Sequence, residues 1–160
     1  MKMGFACVGL FNPKTPSNVG SVMRAAHAFG VSMVTHTGQR YRKASTDTCG
    51  GVKQVPLIQV ADIFDAIPFD CVPIAVEIVE GAVPLETFNH PPRAIYIFGP
   101  EDGSLPEKVT RRCAHVVSLP SRVCLNLAAT VNVVLYDRVA KMRTGFVPES
   151  FSRRPARRAS

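Results

Sequence analysis

Short apolar runs alternate with helix-like stretches along most of the chain, and this alternation constrains the fold more than any other feature. Several runs, such as Ala94–Phe98, lack a polar residue at every second position, which is typical of strands covered on both faces. Strands separated by helices predict a parallel sheet with helices packed on it. We therefore predict the α/β fold class, with strands at Phe5–Leu10, Met33–Thr35, Cys71–Val76, Ala94–Phe98 and His115–Leu119.

Four helices are predicted around these strands. The first should begin after Pro16-Ser17 and stop at Gly30. The last is apolar on almost every side, which predicts that most of it is buried. Burial of this kind favours packing against a second subunit, and the alternative is one central helix of a monomer. The predicted helices span about Asn18–Phe29, Val60–Ile67, Pro106–Arg112 and Leu125–Lys141.

A length of 160 residues fits one domain, and a hydrophobic share of 46% fits a globular core. We predict a single domain over 1–147 and a basic tail over 148–160. No apolar run approaches the length of a membrane span, about 18 residues. The apolar start ends at Asn12-Pro13-Lys14 without a signal-peptide cleavage pattern, so a buried first strand explains it better. A cytoplasmic protein with no membrane partner is expected.

Positive charge is concentrated in two segments of a chain whose formal net charge is +7. The end Phe151–Ser160 holds four arginines and no acid, so it either binds nucleic-acid phosphates or only improves solubility. The polar stretch Gly38–Gln54 shows no sustained period and predicts a long loop, and loops of this length are often functional. The candidate RNA-binding residues in these segments are Arg40, Arg42, Lys43, Arg153 and Arg154.

The five cysteines are scattered, odd in number and form no Cys-x-x-Cys pair. A disulfide framework or a zinc site needs closer, paired spacing, so reduced thiols and no metal site are expected. Four of the five should lie mostly in the core, whereas Cys124 falls inside a motif at the start of the last helix.

The segment Asn12–Arg24 places polar residues between the first strand and the first helix, where open α/β sheets bind their ligands. Asn18, near the helix N-terminus, either caps the helix or holds a ligand phosphate together with the free N–H groups. Arg24 lies nearly two turns further on and would, in isolation, be a surface residue. The segment lacks the Gly-x-Gly-x-x-Gly pattern of dinucleotide-binding proteins.

A glycine-rich loop, Ile97–Gly103, follows the fourth predicted strand. Gly99 allows the backbone to approach a ligand closely, and Glu101 is either a solvated loop acid or a fixed partner of a cation. The third segment, Cys124–Asn132, opens the last helix with Asn126. A buried amide needs a partner, so Asn126 is expected to meet a ligand or a backbone group.

These three segments, in this order, resemble the signature motifs of the SpoU/TrmH-like branch of the SPOUT RNA methyltransferases. The resemblance covers roughly Phe5 to Tyr136. Each match alone would be weak, and the three together at the ends of predicted strands are specific. The matching residues are Asn18, Gly20, Arg24, Phe98, Gly99, Glu101, Gly103, Cys124, Leu125, Asn126 and Leu127.

The resemblance implies S-adenosyl-L-methionine as the cofactor and transfer of its methyl group to a ribose 2′-hydroxyl of RNA. It also implies a parallel sheet flanked by helices with a C-terminal trefoil knot, and a homodimer. The chain is most similar to the minimal, TrmL-like forms of the family, which lack an added RNA-binding domain. For that reason tRNA is the expected substrate, and ribosomal RNA is the nearest alternative.

By the same resemblance, the catalytic residues are Arg24, Asn18, Glu101 and Asn126. A guanidinium is effectively always protonated, so Arg24 either orients the hydroxyl and stabilises the developing alkoxide or acts as a base with help from a substrate phosphate. The first role is favoured on physical grounds. The residues expected to bind the cofactor are Val76, Gly99, Leu119, Cys124 and Leu127.

Two departures from the family pattern leave other functions open. Cys124 stands where the family usually has serine, and Pro120–Cys124 lacks the glycine commonly found there, so contacts to the methyl donor would be weakened. A non-catalytic RNA-binding protein on the same scaffold is therefore the main alternative, although the retained polar residues of all three motifs argue against it. A nucleotide-binding protein for small molecules is less favoured, because the chain has no phosphate-loop motif.

Overall fold

The computed structural model describes residues 4–40 and 51–145 of the chain. The predicted tail 148–160 and four of the candidate RNA-binding residues lie outside these ranges, namely Arg42, Lys43, Arg153 and Arg154. Within the described ranges, no helix combines the length and the hydropathy that a membrane span requires.

Seven strands of the described part form one parallel sheet in the order β3-β2-β1-β6-β4-β7-β5. The five predicted strands are confirmed, each with bounds within one residue of the prediction. Two short strands, β3 and β5, were not predicted, because three and two residues are too few to show a period. The strands are β1 (Phe5–Leu10), β2 (Met33–His36), β3 (Leu57–Gln59), β4 (Val72–Val76), β5 (Val83–Pro84), β6 (Arg93–Phe98) and β7 (His115–Ser118).

The direction in which the chain adds new strands to the sheet changes between β1 and β6, although these two strands run parallel. The chain leaves β1 towards β2 on one side, and it leaves β6 towards β7 on the other. The loops after these two strands therefore diverge and open a crevice, which is where parallel α/β sheets bind ligands. A hydrogen bond from Phe11 N to Phe98 O (2.9 Å) keeps the two strand ends side by side.

Helices cover both faces of the sheet. The first and last helices pack against each other on one face, over a core that includes Val8, Val22 and Leu135. The opposite face is covered by shorter segments around Ile63 and Val109. The helices are α1 (Pro16–Ala28), α2 (Gly51–Gln54), α3 (Glu107–Thr110) and α4 (Leu127–Thr144), with short 3-10 helices at Ile63–Ala66 and Leu85–Thr87.

Several predicted helix bounds are wrong, and the first helix begins at Pro16 rather than at Asn18. The predicted helix Val60–Ile67 is only a 3-10 helix of four residues, preceded by Asp62, whose carboxylate accepts from the backbone and caps it. The third helix, α3, is also reduced to four residues. The last helix begins at Leu127 rather than at Leu125, because Asn126 is its N-cap and therefore lies outside the helical hydrogen-bond pattern.

The last helix is less buried than its apolar sequence predicts. Val131 and Leu135 are fully buried, but Val133 is 42% exposed and Tyr136 is 64% exposed. A single chain therefore covers only one side of α4.

A buried polar network ties the C-terminal half of α4 to β6. Arg138 Nη1 donates to the Tyr96 hydroxyl oxygen (3.1 Å), and that hydroxyl lies 2.6 Å from His90 Nδ1. His90 Nε2 lies 2.8 Å from a carboxylate oxygen of Asp137, which Lys141 also contacts at 2.7 Å. Burial raises the pKa of Tyr96 to about 12, so its O–H remains available to donate to His90.

Candidate active site

A cavity of about 340 Å³ lies at the carboxyl ends of β4, β6 and β7; we call it the first cavity. All five residues predicted to bind a cofactor line it: Val76, Gly99, Leu119, Cys124 and Leu127. They were predicted from the family resemblance, and the fold brings all five to the lining of one cavity. Their role in binding a cofactor stays a prediction.

Gly99 lets the chain fold back on itself beside the first cavity. A Cβ added there would lie 3.0 Å from Leu105 N and 3.3 Å from the carbonyl carbon of Ser104. These contacts are tighter than nine in ten of those that real Cβ atoms make, so the backbone that follows would have to give by a few tenths of an ångström. The absence of a side chain at Gly99 therefore suits the close fold of this loop, in addition to any approach by a ligand.

Glu77 belongs to this wall and was missed in the sequence. It follows β4, and its two carboxylate oxygens accept from Leu105 N (2.7 Å) and from its neighbour Ile78 N (2.9 Å). Glu77 thus fastens the loop after β6 to the end of β4. The signal that could have revealed it is its position, since polar residues directly after parallel strands collect at one edge of the sheet.

Glu101 joins the loop after β6 to the start of α1. Its carboxylate accepts from Lys14 N (2.9 Å), from Thr15 N (3.0 Å) and from Asn18 Nδ2 (3.0 Å). Partial burial would raise the pKa of Glu101, but the hydrogen bonds from Asn18 and the backbone outweigh it and hold the pKa below its usual value. Glu101 is therefore an ionised, hydrogen-bonded support, and the first interpretation, a solvated loop acid, is wrong.

Asn18 connects Glu101 to the last helix. Its amide donates to Glu101, and its oxygen accepts from Asn126 Nδ2 (2.9 Å). Its side chain therefore faces across to two other motifs, and the interpretation of Asn18 as a cap of α1 is wrong. The N-cap of α1 is Thr15, which makes no side-chain capping bond.

Asn126 has two functions in the same side chain. Its oxygen caps α4 by accepting from Ala128 N (2.8 Å) and Ala129 N (3.4 Å), while its Nδ2 group reaches Asn18. The neighbouring polar residue, Thr130, donates to the carbonyl of Asn126 (3.0 Å) and lines the first cavity. One continuous line of hydrogen bonds thus runs from Glu101 through Asn18 to the start of α4.

Arg24, the remaining predicted catalytic residue, lies further along α1 than Asn18. It is exposed on α1 and does not line the first cavity. Six residues separate it from Asn18, a rise of about 9 Å along the helix axis. The structure therefore joins Asn18, Glu101 and Asn126 by hydrogen bonds, and Arg24 occupies an exposed position nearly two turns further along α1.

Arg40, predicted to bind RNA, is bound within the protein. It donates to both carboxylate oxygens of Asp102 (2.8 and 2.9 Å) and to the carbonyl of Asn12 (2.7 Å). The hydrogen bond from Arg40 holds the pKa of Asp102 down at about 2. Arg40 therefore links the loops after β1, β2 and β6, and its contact with RNA stays a prediction.

Cys124 is exposed at the first cavity, whereas Cys7, Cys71 and Cys113 are buried or half-buried. Burial raises the pKa of Cys7 to about 12 and that of Cys113 to about 11, so these thiols are inert. Across residues 4–40 and 51–145, no group of three or more His, Cys, Asp or Glu side chains is arranged to hold a metal ion.

Comparison with known proteins shows where this architecture recurs. The model of the SpoU rRNA Methylase family matches residues 6–136. The SpoU methyltransferase AviRb from Streptomyces viridochromogenes, solved in complex with AdoMet, is 23% identical with a TM-score of 0.79 over 89% of this chain and 62% of that one. This chain thus spans less than two thirds of the length of AviRb. It has no significant match among curated proteins.

Two other solved structures are similar over a larger share of their own length. One, solved to explain the 2-OH methylation of C/U34 on tRNA, is 24% identical with a TM-score of 0.76 over 90% of this chain and 99% of that one. The other is the TrmH/SpoU tRNA modifying enzyme of A. aeolicus, 17% identical, with a TM-score of 0.77 over 91% and 78% of the two chains. At these identities the likeness establishes a shared fold.

Proposed function

Because this chain belongs to the SpoU rRNA methylase family, we propose that it transfers a methyl group from S-adenosyl-L-methionine to a ribose 2′-hydroxyl of RNA. The observation that carries the proposal is the hydrogen-bonded set Glu101, Asn18 and Asn126 beside the first cavity. Three motifs that are far apart in the chain meet at the switch point of the sheet, where such a fold binds ligands. The proposal also includes the trefoil knot implied by the family and the cytoplasmic location expected from the sequence.

The substrate we propose is tRNA. The structure solved for methylation of C/U34 on tRNA matches this chain over 99% of its own length. The similarity therefore covers nearly all of that protein and not only one of its domains. Ribosomal RNA, which gives the family its name, is the alternative substrate.

The residues of the first cavity fit the proposed methyl donor. Its volume of about 340 Å³ falls in the range of small-molecule sites, about 300–1,000 Å³. Val76, Leu119 and Leu127 provide apolar walls, and the acidic residues Glu77 and Glu101 also line the cavity. S-adenosyl-L-methionine, when bound, supplies a methyl group on a positively charged sulfur. Apolar walls with nearby carboxylates suit such a cation.

Glu101 serves to position other groups rather than to remove a proton. Its carboxylate already accepts three hydrogen bonds, and its low pKa makes it a weak base. Its role is to fix the start of α1 and the amide of Asn18. Asn18 is in turn the fixed hydrogen-bond partner of Asn126, which caps α4 beside the first cavity.

Arg24 stabilises the negative charge that develops on the hydroxyl oxygen when the proton leaves. A guanidinium placed before the reaction begins can do this without giving up a proton. Because Arg24 does not line the cavity of its own chain, we propose that the active protein is a homodimer in which Arg24 acts at the partner's cavity. The exposed Val133 and Tyr136 of α4 provide an apolar face for that dimer, and Tyr136 also contacts Phe29, which directly follows α1.

The proposed function is tested by titrating the full chain with S-adenosyl-L-methionine in a calorimeter and then measuring methyl transfer to unmodified tRNA. Micromolar donor binding and a 2′-O-methylated nucleoside in the digested tRNA are expected. Asn18→Ala should abolish transfer and leave the donor bound, whereas Ser17→Ala, an exposed neighbour on α1, should change neither. A folded dimer that binds tRNA but no donor at millimolar concentration would instead identify a non-catalytic RNA-binding protein.

A further inference from the structure

A second cavity, also of about 340 Å³, lies on the opposite face of the sheet from α1 and α4. It is enclosed by the ends of β1 and β2, the 3-10 helix Ile63–Ala66 and α3. Phe11, Ile63, Phe64 and Val109 provide its apolar lining. None of its residues takes part in the proposed donor site, so the methyl transfer described above does not explain it.

Two cations and one carboxylate border this apolar space. Lys108 and Arg112 lie one turn apart on the same side of α3 and of the turn after it. Arg112 is paired with Asp62 at 2.6 Å, and this carboxylate also caps the 3-10 helix. Lys108 has no salt bridge with any residue in the described part of the chain. The cavity therefore keeps one positive charge beyond what Asp62 neutralises.

Flat surfaces suited to stacking occur in the same place. The guanidinium of Arg112 lies over the Phe64 ring, 3.8 Å from its centroid, and the Phe11 ring is a second lining group. Proteins bind unstacked RNA bases on aromatic rings and on guanidinium planes. Thr37, whose hydroxyl accepts from Asn12 N at 3.0 Å, adds a hydroxyl at the cavity wall that can also donate to a base.

The second cavity is joined to the proposed catalytic site by one loop. Phe11 lines the second cavity, and Lys14 and Thr15, three and four residues later, bind Glu101. Arg40 fastens the middle of this loop by binding both Asn12 and Asp102. Both cavities therefore lie at the edge of the sheet formed by the carboxyl ends of its strands.

We propose that the second cavity binds a nucleotide of the RNA that flanks the methylated one, with its base among the apolar side chains and its phosphate on Lys108. The proposal rests on the proposed function for the identity of the polymer. It assigns a role in RNA recognition to α3 and the 3-10 helix, which carry no motif of the family resemblance.

Direct binding is tested on the full ¹⁵N-labelled chain in the presence of excess S-adenosyl-L-homocysteine. Uridine 5′-monophosphate is added to one sample and inorganic phosphate to another. The expected result is that the nucleotide shifts the amide signals of Thr37, Ile63 and Val109, and that phosphate shifts them less. Equal effects of nucleotide and phosphate would reduce the cavity to an anion site and overturn the proposal. Shifts confined to Gly99 and Leu127 would overturn it as well.

A pair of variants tests the role of the cavity in RNA binding. Lys108→Glu and Arg111→Glu make the same change of charge on neighbouring residues, but Arg111 is paired with Glu107 and does not line the cavity. We expect Lys108→Glu to weaken tRNA binding about tenfold and to lower the salt slope by about one, with a much smaller effect of Arg111→Glu. Equal losses would mean a general charge effect and would overturn the proposal.

Failure here is distinguishable from failure of the proposed function. Donor binding is measured without RNA by calorimetry, and it does not involve Lys108. If the chain binds the donor but the nucleotide does not shift the signals of Thr37, Ile63 and Val109, the proposed methyltransferase function stands and the flanking-nucleotide site is ruled out. If those signals shift but the donor does not bind, the nucleotide site stands and the methyltransferase function is ruled out.

Discussion

The Glu101 carboxylate shows how one residue can connect two motifs without taking part in the chemistry. Lys14 N and Thr15 N belong to the backbone that enters α1, where N–H groups lack helical partners. A carboxylate from a distant loop supplies those partners and also fixes Asn18. The local sequence around α1 has no acid in its first turn, so this support comes entirely from the tertiary fold.

Replacing Glu101 by Gln should therefore affect stability as well as activity. The amide keeps one acceptor oxygen, but its NH2 group faces backbone N–H donors, so the unfolding free energy should fall by about 1–3 kcal/mol. Urea denaturation measures this, and Glu107→Gln, on the exposed surface of α3, is the control with a change below about 0.5 kcal/mol. Equal values for the two variants would contradict the supporting role of Glu101.

The pH dependence of this support has a defined sign. The pKa of Glu101 is lowered in the folded chain, so its contribution is complete above the pKa of the unfolded state and is lost as the pH falls through the folded pKa. Stability of the wild type relative to Glu101→Gln should thus shrink only in acid, below about pH 4.5.

At the scale of elements, the side chain of Asn126 has two roles, which two different substitutions can distinguish. Asn126→Asp keeps the capping oxygen for Ala128 N and loses the donor to Asn18, whereas Asn126→Ala loses both. We expect Asn126→Ala to cost about 1 kcal/mol of unfolding free energy, and Asn126→Asp to cost less. Both should lose methyl transfer. Full activity of Asn126→Asp would show that the link to Asn18 is dispensable.

The network at the other end of α4 predicts a second pH effect. Burial lowers the pKa of His90 in spite of its bond to Asp137, so His90 is neutral in the folded chain. The unfolded state binds the proton more readily, so the stability from this network is present at neutral pH and is lost as the pH falls below the ordinary value, about 6.5. His90→Gln should remove this pH dependence. The unfolding free energy of the wild type should then exceed that of the variant by less at pH 5 than at pH 7. A constant difference would mean that His90 does not titrate there.

The sequence allowed the elements with a strong pattern to be predicted and left out those fixed by tertiary contacts. The apolar runs gave β1, β4 and β6 almost to the residue, because buried parallel strands need no alternation. The apolar content of Val60–Ile67 predicted an α-helix where Asp62 caps a single 3-10 turn, and no local rule distinguishes the two.

The candidate site was partly predictable for the same reason. Gly99, Leu127 and the other three cavity residues were recognised as a set through a family resemblance, and the fold places them on one wall. Glu77 has no such motif, and its role depends on the path of the loop that brings Leu105 N to it. The partnership of Arg40 with Asp102 joins residues 62 positions apart, which the sequence does not indicate.

At the scale of the whole molecule, the proposal of a dimer depends on the position of Arg24. One chain joins Asn18 and Asn126 by hydrogen bonds to Glu101, which lines the first cavity, and it carries Arg24 on an exposed surface of α1. In a two-fold symmetric dimer, each chain offers the same surface to the other, so both Arg24 side chains would reach a partner site or neither would.

Mixing two inactive variants distinguishes the two cases. Arg24→Ala and Asn126→Asp, unfolded and refolded together, form mixed dimers in which one of the two sites has both residues intact if Arg24 acts at the partner's cavity. About a quarter of the wild-type activity should then return, because half of the dimers are mixed and each has one complete site. If Arg24 acts within its own chain, every site in the mixture lacks one residue and no activity returns. Sedimentation of the wild type as a monomer would contradict the dimer itself, and refolding each variant alone provides the control.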